Sequence, residues 1–292
     1  TAPHEATTLR PVLLTLMGNP FPQASTTRLA SQQTGAGGTS PRTAEGHPAL
    51  GWYVWNGPAL LQAPSQLKAL PPGTHRVLIS FTNHQLQALA QPPGQQRLTQ
   101  LVAKAKQRGV RVELLLGEPT WALPEGREQL LNLIKSVHHL PFNALHLDLE
   151  RSQLPEADQS QWDQGVLDTV RAVRGVAPWP VALTTHYREF ESPGFAQRLQ
   201  EAGASELTAM LYVSNTDRAV DIAQPLLQGP PGLKFSIAQS MERALTAEES
   251  HFQLGKAAAL QRWHALAKQL SALPHFSGVI VQSWEEFKEA RP

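Results

Sequence analysis

The sequence predicts a (β/α)8 barrel, the TIM-barrel fold, carrying an N-terminal extension. Three observations predict it. Eight apolar runs of strand length recur from about residue 49 onward, segments with helical spacing lie between them, and the alternation fills about 240 residues, the size of one such barrel. An open doubly wound sheet is the alternative. No Gly-rich phosphate loop follows any of the runs, however, and the nearest turn, Gly117-Glu118-Pro119, has the wrong spacing.

Residues 1–48 differ in composition from the rest of the chain. The apolar stretch Pro11–Met17 is succeeded by a Ser/Thr/Gln/Gly-rich segment through Ser31–Ser40, a composition that cannot bury a core of its own. We read 1–48 as an extension or linker, in which Pro11–Met17 adds a strand or packs as an arm, and 49–292 as the barrel. The eight strand-like runs are Leu50–Trp55, Arg76–Phe81, Arg111–Leu116, Ala144–Leu149, Val181–Thr185, Leu207–Val213, Leu233–Ala238 and Gly278–Gln282. Between them, Leu98, Leu101, Val102 and Ala105 share one helix face in 95–109, and Gly109 is placed to stop that helix. Leu130, Leu131, Ile134 and Val137 do the same in 125–140. In 158–174, Trp162, Val166, Val170 and Val173 follow Asp158, a candidate N-cap. The Ala/Leu-rich segment 246–272 opens with Thr246-Ala247-Glu248-Glu249, which has the form of a capping box.

Composition narrows the function. Lys+Arg number 25 against 24 Asp+Glu, a formal net charge of +1 with no dense basic block, so electrostatics give no reason to propose nucleic acid or an anionic membrane surface. No apolar run is long enough to insert through a bilayer. Cysteine is absent, which removes disulfides, thiolate metal sites and a cysteine nucleophile. The chain starts at Thr1 rather than Met, so a signal peptide, an upstream domain or other leading sequence is expected to have been removed, and the expected periplasmic or secreted location leans on a carbohydrate-directed function.

In a barrel of this kind the site lies at the C-terminal ends of the strands. The run Phe142–Glu150 is the most informative one. His146, Asp148 and Glu150 alternate and therefore share a face of an extended strand, where three polar groups pack poorly but could form a reaction centre. A structural charge network that includes Arg151 is the competing account. The other strand ends supply Trp55, Glu118, Trp121, His186, Tyr212, Asn215, Gln239, Glu242 and Trp284. Aromatic faces stack on sugar rings while amides and carboxylates bond hydroxyls, so the expected partner is a polysaccharide or oligosaccharide. Trp55, Trp121, His186, Asn215, Gln239 and Trp284 are the expected substrate-binding residues. Trp162 and Trp263 lie on helical stripes and are expected in the core. No His-x-His or His-Glu-x-x-His spacing supports a metal, and no cofactor is expected.

These motifs resemble those of the glycoside hydrolase family 18 barrels. That family's strand-four signature is Asp-x-x-Asp-x-Asp-x-Glu, and the same offsets here hold Asn143, His146, Asp148 and Glu150, so the last two acids match. Met210-Leu211-Tyr212 is similar to the family's sixth-strand Met-x-Tyr, with Val213 where an Asp would follow, and Gly278–Trp284 is similar to its eighth strand. The resemblance implies a glycosidase with Glu150 as catalytic acid, Asp148 orienting it and Tyr212 on the reacting sugar. Val213 departs from the substrate-assisted scheme. The arrangement is also similar to the retaining barrel glycosidases, which implies Glu242, after strand seven, as nucleophile or base. A non-catalytic carbohydrate-binding barrel is the alternative, and a lyase or aldolase would need a Lys at a strand end, where this sequence has none.

Overall fold

The structure is a computed structural model and describes residues 49–292; the expectations for 1–48 lie outside the described residues. The eight strands are β1 (Leu50–Val54), β2 (Thr74–Ser80), β3 (Arg111–Leu116), β4 (Leu145–Asp148), β5 (Val181–His186), β6 (Ala204–Met210), β7 (Lys234–Ser240) and β8 (Phe276–Gln282). They pair in sequence order, all parallel, and β8 returns to β1 through Leu50↔Val279 to Trp52↔Val281, so the sheet closes into the expected barrel. Nine helices surround it among the described residues: α1 (Gly57–Gln62), α2 (Asn83–Leu89), α3 (Pro92–Gln107), α4 (Pro124–Val137), α5 (Trp162–Val176), α6 (Phe195–Ala202), α7 (Thr216–Leu226), α8 (Lys256–Leu270) and α9 (Trp284–Glu289).

Local chemistry explains where these helices begin and end. Prolines occupy the first turns of α1, α3 and α4, where a missing N–H costs nothing and the fixed φ suits a helix. Thr82 and Gln85 form a reciprocal capping box that starts α2. Gly109, at φ 69°, takes the left-handed turn that carries the end of α3 into β3. Two expected starts are corrected. Thr246 donates both its N–H and its hydroxyl to the Glu249 carboxylate, but within a turn ahead of the helix, and α8 begins only at Lys256 after Gly255 at φ 87°. Asp158 falls inside a short 3-10 segment, Glu156–Gln161, rather than capping α5, which starts at Trp162.

Strand alternation divides the buried residues into two sets. Leu50, Trp52, Val77, Ile79, Leu114, Leu116, Leu145 and Leu147 face the helices and belong to the large outer core. Tyr53, Leu78, Leu115, Met210, Ala238 and Ile280 form a smaller cluster inside the barrel. Both faces are buried, which is why the strands read as nearly continuous apolar runs.

The barrel interior is unusually polar toward the N-terminal ends of the strands. Arg76 on β2 makes a bidentate pair with Glu206 on β6, both bonds at 2.7 Å, and its Nη1 lies 3.7 Å from Glu113 on β3. His146 Nε2 lies 3.2 Å from Glu113, and Ser277 Oγ donates to Glu206 at 2.7 Å. Burial opposes ionisation of both carboxyls, yet Arg76 outweighs it: Glu113 is held down at about 2, and Glu206 well below the usual range.

Removing the guanidinium would leave two buried carboxylates facing each other. Arg76→Met is therefore expected to lower the unfolding free energy at neutral pH by about 3–5 kcal/mol. The pH dependence gives a second readout. In the parent both carboxyl pKa values are depressed, so their contribution is present above about pH 4.5 and is lost as pH falls toward about 2. In the variant burial would raise them instead, so stability should fall as pH rises through the mildly acidic range. Urea unfolding across that range decides it, and an unchanged sign of the slope would contradict the assignment.

Candidate active site

Asp148 ends β4, and the chain stays extended through Glu150 (φ −112°, ψ 125°) while the Leu149 N–H still bonds the Thr184 carbonyl. His146, Asp148 and Glu150 therefore remain on one face, as the alternation predicts, rising from the lumen to the C-terminal mouth. His146 belongs to the deeper network with Glu113. Asp148 and Glu150 are buried above it, at 6% and 4% exposure. Gly117 makes room for them: a Cβ there would sit 3.0 Å from the Asp148 carbonyl oxygen and 3.1 Å from its Cβ.

The two carboxyls share a hydrogen bond in which Glu150 is the donor. Burial pushes Asp148 from its ordinary 3.8 up to about 7, partly offset by that bond. Glu150 is raised well above the usual range by burial, then by the neighbouring charges of Asp148 and Glu242. Gln153 Nε2 also donates to Glu150, at 3.1 Å, while Asp148 Oδ1 is buried without a partner among the described residues. Arg151, the cation next in sequence, does not neutralise the pair. It turns outward to bond Glu189 and Asp163 and to lie over the Trp162 ring.

Glu242, just past β7, reaches the same centre. Its carboxylate accepts from Ser240 Oγ at 3.3 Å, and its N–H donates to that hydroxyl at 3.0 Å. Tyr212, just past β6, is half-buried, and its hydroxyl pKa is raised by burial and by Glu242, Tyr53, Glu150 and Asp148. Those influences bring Glu150, Asp148, Glu242 and Tyr212 to one place. Tyr53, inside β1, joins them: its hydroxyl shares a hydrogen bond of 3.2 Å with Thr184, and after burial Asp148 is the strongest influence raising its pKa. Tyr53 lies within its strand rather than at the end, so strand ends alone do not reveal it. The signal in the sequence is its position two residues before Trp55, on the same strand face.

The expected substrate-binding residues separate into two groups. Trp55 stays half-buried at the mouth, with Nε1 donating to Gln282 Oε1 at 2.9 Å. His186 is also half-buried; burial, then Arg188, lower its pKa to about 4 and keep the ring neutral. The others are corrected. Trp121 is buried beneath α5 and its carbonyl accepts from Thr169, so no ring face is open to a sugar. Trp284 is buried in the outer shell, edge-on to Trp52 at 5.4 Å and beside Phe287. Gln239 is buried with its amide donating to the Leu211 and Val213 carbonyls. Asn215 is the exception: it stays exposed, its side-chain oxygen caps α7 by accepting from the Arg218 N–H, and that cap does not use its amide N–H groups. Trp162 and Trp263 are fully buried, as their helical stripes predict. Glu118 caps its own turn through Thr120, and among the described residues no cluster has the make-up of a metal site.

No family model matches the sequence, and no curated protein matches it. Solved structures share the fold. A family 1 β-glucosidase from Thermotoga maritima superimposes with a TM-score of 0.52 at 7% identity, over 78% of this chain and 77% of that one. A protein described as a deoxyribose-phosphate aldolase from Toxoplasma gondii ME49, in apo form, superimposes with a TM-score of 0.50 at 13% identity, over 83% and 91%. At these identities the likeness is one of fold. Membership of glycoside hydrolase family 18, which the motifs resemble, has no support in these comparisons.

Asp148 supplies a test of the site's electrostatics. Its raised pKa means the folded chain holds a proton that the unfolded chain releases, a contribution fully present below about pH 3.8 and lost as pH rises through about 7. Asp148→Asn is expected to flatten the stability profile between those limits and to exceed the parent in stability above neutrality. Thermal or urea unfolding at several pH values checks this, and a profile that keeps the parent's slope would assign the burden to another group.

Proposed function

We propose that this barrel is a glycoside hydrolase acting on a polysaccharide. The observation that carries the reading is the buried, hydrogen-bonded pair Asp148–Glu150, both raised above the ordinary carboxyl range by burial, with Glu242 near enough to raise Glu150 further. A carboxyl kept protonated near neutrality is what a general acid requires. Glu150 gives its proton to the glycosidic oxygen as the bond to the anomeric carbon breaks. The carboxylate of Glu242 bonds to that carbon, giving a glycosyl-enzyme. Water then attacks the same carbon and yields a proton to Glu150, and Glu242 leaves as carboxylate, restoring the start. Asp148 holds the Glu150 proton in place between turnovers. The Tyr212 hydroxyl, beside Glu242, steadies the negative charge that returns to it.

An aldolase of the Schiff-base type is disfavoured by the chain itself. All eight lysines fall among the described residues, and each is exposed or half-buried outside the barrel; Lys234 begins β7 and is exposed. Among the described residues no lysine amine lies in the lumen to form an imine.

The experiment is release of reducing ends over a panel of bacterial and plant polysaccharides, followed by Glu150→Gln on the best substrate. The variant keeps a hydrogen-bond donor toward Asp148 but has no proton to transfer. Turnover is expected to fall by about 10²–10⁴, with the fold retained. Parent-level turnover in the variant on a substrate with a poor leaving group would remove Glu150 from the role of acid.

A further inference from the structure

A cavity opens at the ends of β1, β2 and β8 and under the start of α9, connected to the acid centre through Trp55 and Tyr53. It encloses about 530 Å³. Trp55 forms the wall that joins the two. Its ring stacks on Tyr53 with planes 13° apart and centroids 6.3 Å apart, and Tyr53 in turn neighbours Asp148. The ring is also held at its edge, where Nε1 donates to Gln282, and the backbone N–H of Trp55 donates to Glu285 at 2.5 Å. A half-buried indole held this firmly loses little freedom when a ligand ring lies against it.

The cavity also holds an unused polar group. Ser80, on the inward face of β2, is 1% exposed and lines the space, and its hydroxyl has no partner among the described residues. A buried hydroxyl without a partner costs free energy that a bound hydroxyl would return. Asn56 and Gln85 add amides at the border. Each uses its oxygen to cap a helix, and neither cap uses the amide N–H groups.

Charge selects among ligands. Among the described residues, Glu285, Glu286 and Glu289 line the space against a single cation, Arg243, whose guanidinium is already paired with Glu289 at 3.0 Å. Next door lie Asp148 and Glu242. An anionic ring would meet net negative charge at both places.

We infer that this cavity is a sugar subsite continuous with the acid centre, which takes an uncharged or cationic ring, a neutral sugar or amino sugar, and rejects uronates and sulfated sugars. The inference rests on the hydrolase reading only for the assignment of the neighbouring acids. Trp55 supplies the stacking face and Ser80 a hydrogen bond inside.

The test is calorimetric titration of the full chain carrying Glu150→Gln with hexamers of glucose, xylose, mannose and glucosamine, and with hexagalacturonate and a heparin hexasaccharide. At least one of the first four is expected to bind and the last two are not. Trp55→Ala and Ser80→Val should each weaken that binding by about tenfold, equivalent to about 1.4 kcal/mol. Trp55→Phe keeps a ring and should stay within about threefold, which guards against loss of fold in the alanine variant. Binding of either anionic hexamer as tightly as the others, no binding by any of the first four, or affinity indifferent to both Trp55→Ala and Ser80→Val overturns the subsite. The two readings fail separately. Binding that responds to these variants with no hydrolysis by the parent overturns the hydrolase and keeps the subsite, whereas hydrolysis with unresponsive binding does the reverse.

Discussion

Arg76 lies on β2 and Glu206 on β6, four strands away around an eight-strand barrel, and the two meet through the lumen in a bidentate pair. Filling that lumen is the requirement every closed barrel of this size must meet, and most do so with branched apolar side chains. Here a planar guanidinium fills it, with Glu113, His146 and Ser277 gathered around. Such a pair is costly to desolvate and adds little net stability over an apolar filling, but it tolerates no loss of one partner. The fork of Arg76 fits the carboxylate of Glu206 in one geometry, which ties opposite walls of the barrel in register. The polar floor lies directly beneath the site.

Above the floor the chemistry inverts. In the lower network a cation holds the carboxyls ionised; at the mouth no cation among the described residues pairs with Asp148 or Glu150, and burial raises them. The same residue type is thus set to opposite protonation states within one strand-lined channel. A buried Asp148 oxygen without a partner is the kind of local cost that folded proteins retain where a ligand or a reaction uses it. The chain after β3 approaches β4 closely at Gly117, where a Cβ would sit 3.0 Å from the Asp148 carbonyl oxygen and require a shift of a few tenths of an ångström.

The aromatic residues show how a barrel sorts similar side chains to different duties. Trp52, Trp263, Trp284 and Phe287 form an aromatic cluster between β1 and helices α8 and α9, edge-to-face where Trp52 meets Trp263 and Trp284, which holds α9 against the first strand. Trp55, three residues after Trp52, lies on the opposite strand face and meets the cavity instead. Odd spacing along one strand separates packing from a candidate binding surface.

By itself the sequence determined the architecture. Eight apolar runs with period-two character and helical stripes between them admit a closed parallel sheet, and the observed strands start and stop within a few residues of those runs. It also determined that His146, Asp148 and Glu150 share a face, because alternation is a property of the extended chain alone. The tertiary structure decided everything that depends on which strand faces which across the lumen. Arg76, Glu113 and Glu206 each look like an isolated charge in an apolar run, and only closure of the barrel brings them into contact. Trp121 and Trp284 follow strand ends and Gln239 lies near one, as binding residues would, yet packing buries the two indoles in the shell and ties the Gln239 amide to backbone carbonyls. A position at the end of a strand is written in the one-dimensional pattern, whereas which way that end points is settled by the helix and loop that follow it.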